Sequence, residues 1–461
     1  MIKLTQFSIK GLHGDRNFDI PIRDNKLILV GENGTGKSTV ANFIYFVLTK
    51  TWWRMRDYDF ESVSFSFGSE KHTITKSEIE ILYPDEPDFF TSRHRLPPKL
   101  FSRLRNLVVH YEPRDVLSNR ELMNMIRVET SLPQSIIKDY LHFVLDEDVP
   151  LFRENIRNIS NAIDQILDST ILYLPTYRRI EKELSKILKN LDIDVDRRRN
   201  SRQLSFFEPE SEETQHMELV EFGMRDVNEK ISHKMQALKD SLTESLNNLT
   251  VRYLREVVFE DYAGVDASAL DNIDSTTVEN IFSRVGTDLL SQNEKRRIID
   301  QINKNVHREK PVVAHFLIRL NEIYQKQREE EQDVEKFIEI CNVYLTGKEM
   351  VYDSSRFEIN VTQLPPTKHS KPIKLRDLSS GEKQIISLFS HIYLSSNKSF
   401  FVIIDEPELS LSVPWQKRFL PDILGTERCT GLIAVTHSPF IFDNELDIYT
   451  HSLERFTDIK E

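Results

Sequence analysis

The spacing of apolar residues divides the chain into strand-rich ends and a helical middle. From Met1-Ile2-Lys3-Leu4 onward, the sequence opens into a strand-like alternation. The run Lys26-Leu27-Ile28-Leu29-Val30 leads into a glycine-rich loop and then a helical stripe through Val40, Phe43 and Phe46. A β-rich excursion is expected at 62–83, and the polar stretch 192–215 reads as a loop. Beyond it, Val227, Ile231, Met235, Leu238, Leu242, Leu246, Leu249 and Tyr253 recur at steps of three and four, which predicts a long amphipathic helix. Pro311 suits a first helical turn and opens a second stripe through Phe316, Leu320, Ile323, Val334, Phe337, Ile338 and Cys341. The two stripes are expected to pack antiparallel as a short coiled-coil arm. Strand patterns return at 350–352 and 357–361, and the apolar runs 400–404 and 431–436 read as buried parallel strands. The expected class is α/β. An N-terminal lobe at 1–150, an inserted helical region at 151–345 and a C-terminal lobe at 346–461 are expected, with the two end lobes completing one fold.

Chemistry concentrates at the same two ends. Gly31-Glu32-Asn33-Gly34-Thr35-Gly36-Lys37-Ser38 fits GxxxxGK[ST] in the strand, loop and helix context that the motif requires. Its glycines let backbone N–H groups curl around phosphate oxygens, and the following helix presents its positive end to them. Asn33, Gly34, Thr35, Gly36, Lys37, Ser38 and Thr39 are therefore the candidate nucleotide contacts. Lys37 is expected on the β and γ oxygens, Ser38 on magnesium, and Thr39 mainly in its helix. The strand at 400–404 delivers Asp405 and Glu406 at its C-terminal end, where parallel sheets place their ligands. Asp405 is the expected magnesium partner through water, and Glu406 the group that polarises attacking water. His437 follows the second buried strand and is the candidate contact to the γ-phosphate.

At these residues the chain resembles the ATP-binding-cassette superfamily, in the branch of SMC, Rad50 and RecF heads. Leu378-Ser379-Ser380-Gly381-Glu382 is similar to that branch's signature motif, Asp405-Glu406-Pro407-Glu408 to its Walker B motif, and His437 to its switch histidine. The resemblance implies an ABC-type ATPase head that takes ATP and Mg2+. It also implies that Ser379 and Gly381 touch the γ-phosphate held by a second head, so that two heads sandwich two ATP molecules. Ser380 and Glu382 replace the glycine and glutamine of transporter cassettes. Gln134 is a candidate for the Q-loop glutamine, with a surface glutamine as the alternative reading.

The segments Ile171-Leu172-Tyr173-Leu174-Pro175-Thr176-Tyr177-Arg178-Arg179-Ile180-Glu181, 378–388, 403–415 and 436–444 are similar to the ATPases of bacterial anti-phage operons, most of all the AriA-type subunits of PARIS systems. Septu and retron-associated ATPases are near alternatives. This likeness implies a homo-oligomer of heads, dimers or a hexamer, holding a separately encoded Toprim-type nuclease of the AriB kind. A phage-encoded trigger protein, an acidic DNA mimic, would release that effector. A Rad50- or RecF-like repair or tethering ATPase is the competing reading.

Composition narrows these options. The chain has 461 residues, 29% charged and 39% hydrophobic, with a net charge of −12. No apolar run is long enough to span a bilayer and no signal peptide is evident, so a cytoplasmic location is expected. The negative balance argues against a surface that binds DNA everywhere. A basic segment with Arg178, Arg179, Lys182, Lys186, Lys189, Arg197, Arg198, Arg199 and Arg202 leaves direct DNA binding open. Cys341 and Cys429 are expected to be reduced thiols, and the zinc-hook motif of Rad50 is absent. The stretch after Glu406 is too short for a Toprim nuclease domain of ordinary size.

Overall fold

The computed structural model describes residues 3–82, 104, 108, 111, 113–146, 150–166, 169–175, 216–218, 224–259, 284, 293–294, 296–297, 300, 311–365 and 372–459. The basic segment beginning at Arg178 and the polar stretch 192–215 lie outside the described residues. The chain forms two compact units, Met1–Val220 with Ser399–Glu461, and Glu221–Lys398.

The first unit holds both ends of the chain. Strands β1 (Leu4–Leu12), β2 (Arg16–Pro21), β4 (Ser62–Phe67), β5 (Glu70–Thr75) and β13 (Thr457–Ile459) form a sheet in the order β13-β2-β1-β4-β5. Leu4, Phe7, Ile9 and Leu12 are buried along β1, and antiparallel register sets Phe7 against Ile20 and Ile9 against Phe18. The second sheet uses β3 (Lys26–Val30), β6 (Thr170–Leu174), β7 (His216–Glu218), β10 (Phe400–Asp405), β11 (Cys429–Thr436) and β12 (Thr450–Ser452), in the order β12-β3-β11-β10-β6-β7. All its pairs are parallel. Every residue of β10 is buried, as expected for a strand covered on both faces. A Cβ on Gly431 would stand 2.3 Å from the Phe401 ring, so only glycine lets these two strands pair this closely.

Helix α1 (Lys37–Leu48) packs on this parallel sheet and buries Val40, Phe43, Ile44 and Val47 in one core with Ile9, Phe18, Leu29, Phe65, Ile403 and Val435. Both sheets thus share one apolar interior. The 62–83 excursion is strand only at first: after β4 and β5 it becomes helix α2 (Lys76–Leu82). The reason is local. Thr75 N–H donates to the Glu78 carboxylate at 2.7 Å while Glu78 N–H donates to the Thr75 hydroxyl at 3.2 Å, a capping box that starts the helix. Helices α3 (Pro113–Ser118), α4 (Arg120–Thr130) and α5 (Gln134–Asp146) form a separate small core around Val116, Ile126, Ile137 and Leu141. Helix α6 (Pro150–Ile166) returns Ile156, Ile159 and Ile163 to the main one. Trp52 and Met55 are buried in a short 3-10 turn.

In the second unit, α7 (Arg225–Val258) and α8 (Pro311–Tyr344) are both 34 residues long. Gln327 donates to the Leu238 carbonyl, Ser241 donates to Glu330, and the Tyr253 hydroxyl donates to the Val312 carbonyl. The turn of α7 at 238–241 thus meets 327–330 of α8, while the later Tyr253 meets the start of α8 at Val312, which makes the pair antiparallel. The hairpin β8 (Lys348–Asp353) and β9 (Glu358–Gln363) follows, and α9 (Ser380–Leu394) packs on both long helices. Tyr344 and Phe389 meet with ring centroids 6.3 Å apart. Among the described residues no helix is long and apolar enough to cross a membrane.

Candidate functional site

Parallel pairing brings three motifs to one edge of the first unit. Thr436 pairs with Val30 and Asp405 with Val435, so β3, β10 and β11 end side by side. The loops that leave them carry the glycine-rich motif, Asp405-Glu406 and His437, at the carboxyl ends where parallel sheets bind ligands.

Gly34 and Gly36 have φ of 81° and 100°, backbone that costs a side-chain-bearing residue strain and costs glycine none. Lys37, only 4% exposed, donates to the carbonyls of Gly31 at 2.8 Å and Glu32 at 2.6 Å. Burial pulls its ammonium below the usual lysine range, and Asp405, Glu406 and Glu408 pull the other way. The Ser38 hydroxyl donates to Asp405 Oδ1 at 3.0 Å. That pair joins residues 367 positions apart. Asn33 is exposed on the loop, Thr35 donates to the Glu32 carbonyl, and Thr39 is half-buried within α1. Arg16 also reaches the loop and donates to the Gly34 carbonyl at 3.3 Å. Gln134 sits at the start of α5, exposed to solvent.

Glu406 leaves β10 with φ 53°, a left-handed turn that swings the chain out of the strand, and its N–H donates to the Val435 carbonyl at 2.8 Å. Burial raises its carboxyl above the usual glutamate range, and the negative charges of Asp405 and Glu408 add to this against His437 and Lys37. A carboxyl tuned upward is a better proton acceptor, as a general base requires. His437 is exposed at the end of β11.

Motif spacing did not reveal how that histidine is held. Glu408 Oε1 accepts from the N–H groups of His437 at 2.7 Å and Ser438 at 3.2 Å, and Oε2 accepts from the Thr436 hydroxyl at 2.7 Å. Gln416, on α10 (Val413–Leu424), accepts from the Ser438 hydroxyl at 2.6 Å. Glu408 lies beside Asp405-Glu406-Pro407 in the sequence, but its partners are 28 to 30 residues away. The acidic pair at 406 and 408 is the one trace of this tie in the sequence.

The donor set suits a magnesium nucleotide. A loop of backbone N–H groups, a buried ammonium, a serine hydroxyl and a neighbouring carboxylate are the groups that hold phosphate and a hard cation. Ser38 and Asp405 would hold the cation, and Lys37 with the loop would hold phosphate. Bound Mg-ATP supplies the phosphoryl group and the metal's charge stabilisation.

Ser379 and Gly381 belong to the other unit, at the start of α9. Ser379 caps that helix: its hydroxyl accepts from the Glu382 N–H and the Glu382 carboxylate accepts from the Ser379 N–H. Ser379 is exposed and Gly381 buried. Cys341 is buried and Cys429 half-buried, both as free thiols.

Among solved structures, the SMC head with an extended coiled coil bound to the C-terminal domain of ScpA, from Pyrococcus furiosus, is 14% identical, with 96% of this chain and 91% of that chain covered and a TM-score of 0.33. The SMC head bound to the C-winged helix domain of ScpA is 11% identical, with 95% and 90% covered and a TM-score of 0.35. An SMC head with coiled coil and joint from Pyrococcus yayanosii is 14% identical, with 96% and 93% covered and a TM-score of 0.31. A comparison with curated proteins found no match. The sequence model of the AAA ATPase domain family matches residues 2–442, which takes in the P-loop, Asp405, Glu406 and His437 together. The chain belongs to the AAA ATPase domain family.

Proposed function

We propose that this chain is an ATP-hydrolysing switch whose heads pair around nucleotide. The observation that carries the reading is the convergence of Lys37, Ser38, Asp405 and Glu406 at one sheet edge, with Ser38 donating to Asp405 at 3.0 Å. Lys37 and the loop N–H groups bind the phosphates, Ser38 and Asp405 hold Mg2+, Glu406 accepts a proton from water, and His437 faces the γ-phosphate. Ser379 and Gly381 complete the site of a second copy.

The cellular role we infer is that of the sensor subunit of an anti-phage complex. It holds a separately encoded Toprim-type nuclease and releases it when a phage protein is detected, which leads to abortive infection. This finer reading is supported by the sequence likeness of 171–181, 378–388, 403–415 and 436–444 to defence ATPases.

The test is purification of tagged Glu406→Gln protein expressed from its own operon, with identification of co-purifying chains and measurement of assembly mass. A stoichiometric nuclease on an oligomer larger than a dimer supports the defence role. Recovery of an isolated ATPase that retains DNA replaces it with the repair reading. ATP turnover by wild type that survives Lys37→Ala would overturn the nucleotide site itself.

A further inference from the structure

The start of α9 gathers three donors on one buried carboxylate. Glu382 is 4% exposed, and its Oε2 accepts from the Ser379 N–H at 2.8 Å and from the Ser379 hydroxyl at 2.9 Å. Lys348, on β8, donates to Oε2 at 2.7 Å and to Oε1 at 2.8 Å. Burial alone pushes Glu382 up, but Lys348 and Ser379 outweigh it and hold the carboxyl below its usual range. The residue is therefore charged, and its charge is matched.

A glutamine would cap the helix through the same carbonyl oxygen, so capping does not account for the charge. Nor does the exposed Ser379 need an ammonium in order to start a helix. What a lone carboxylate would do here is repel a polyphosphate approaching Ser379. It would also keep the single hydroxyl proton of Ser379 for itself. With Lys348 on both oxygens and the Ser379 N–H still donating, Glu382 stays satisfied when that hydroxyl turns outward.

We propose that Lys348 is the charge-compensating residue of the signature loop: it neutralises Glu382 so that Ser379 can donate to the terminal phosphate of a nucleoside triphosphate held by a second copy of the chain. This deepens the paired-head reading and rests on it. Lys348 acts through Glu382 and Ser379, so it is a positioning residue.

The test follows Mg-ATP-dependent pairing by sedimentation of full-length protein in a Glu406→Gln background. Lys348→Ala weakens pairing roughly tenfold or more, because it strands a buried charge. Adding Glu382→Gln restores pairing to the level of Glu382→Gln alone, and the pairing loss of Lys348→Ala is read under conditions where circular dichroism shows its heads still folded, a loss that a merely structural ion pair would not give. Pairing by Lys348→Ala equal to the parent, or a double variant as poor as Lys348→Ala, overturns the assignment. If Lys348→Ala fails to fold, Lys348→Met with Glu382→Gln removes both charges: pairing near the parent level supports the proposal and lost pairing overturns it. Ser379→Arg separates the two levels of failure. If it pairs normally, the signature reading itself is lost; if it blocks pairing while Lys348→Ala does not, only the role of Lys348 is.

Discussion

The carboxylates of the two candidate sites are managed in opposite ways. At the edge of the parallel sheet, Asp405, Glu406 and Glu408 crowd together, and burial with mutual repulsion raises Glu406. Lys37, the buried cation nearby, donates to the Gly31 and Glu32 carbonyls. At the start of α9, Glu382 is met by a lysine and by its own cap, and it is lowered. The difference teaches which ligand each surface awaits. Accumulated negative charge favours a metal cation, whereas a cancelled charge beside the exposed Ser379 favours an anion.

The largest effect belongs to Glu406. Glu406→Gln should lower kcat for phosphate release by about 10²- to 10⁴-fold while nucleotide stays bound. In wild type, the raised carboxyl must ionise to act, so turnover should fall on the acid side at a higher pH than an ordinary glutamate would give. A pH profile with no such displaced limb would break the contrast with Glu382.

The second unit has its own unmatched group. His391 on α9 lies 3.3 Å from Asp226, and its Nδ1 is buried with no hydrogen-bond partner among the described residues. Burial lowers it from 6.5 to about 4, with Asp226 opposing. A histidine held neutral in the fold stabilises fully above its unfolded value, and that stability is lost as pH falls from 6.5 toward 4. About 2 kcal/mol should disappear between pH 7 and pH 5, read from urea unfolding. An identical pH slope for His391→Gln would show that the loss comes from elsewhere.

Smaller effects probe the supports. Glu408→Ala leaves the His437 N–H without its acceptor and the Ser438 N–H with the Thr436 hydroxyl alone, and should lower kcat roughly tenfold with KM little changed, since it misplaces His437 and leaves the phosphate cradle alone. A change confined to KM would contradict that division. Beside the P-loop helix, the Tyr173 hydroxyl donates to Asn42 at 2.5 Å and the Tyr173 ring stacks on Tyr45 at 4.6 Å. Tyr173→Phe keeps the stacking and removes the bond, so about 1 kcal/mol of stability should be lost. No loss in thermal or urea unfolding would mean that water replaces the partner.

Much of the fold was legible because its signals are periodic. The stripes from Val227 to Tyr253 and from Pro311 to Cys341 each became one helix, and 400–404 and 431–436 became adjacent parallel strands. The 62–83 stretch was read too simply. Its alternation holds through β5, but the Thr75–Glu78 capping box then wins over strand propensity and begins α2.

The sequence by itself determined the local pattern: a glycine-rich loop between a strand and a helix, two acids at the end of a buried strand, a histidine after another, and a signature-like Leu378-Ser379-Ser380-Gly381-Glu382. Each is written in neighbouring residues, because glycine backbone freedom, strand alternation and helix capping act over a few positions. Only the tertiary structure decided how charge is distributed among them. Ser38 meets Asp405 across 367 positions, Glu408 holds the His437 turn across 29, and Lys348 neutralises Glu382 across 34. Burial and distance set those interactions, and neither is a property of the chain until it has folded.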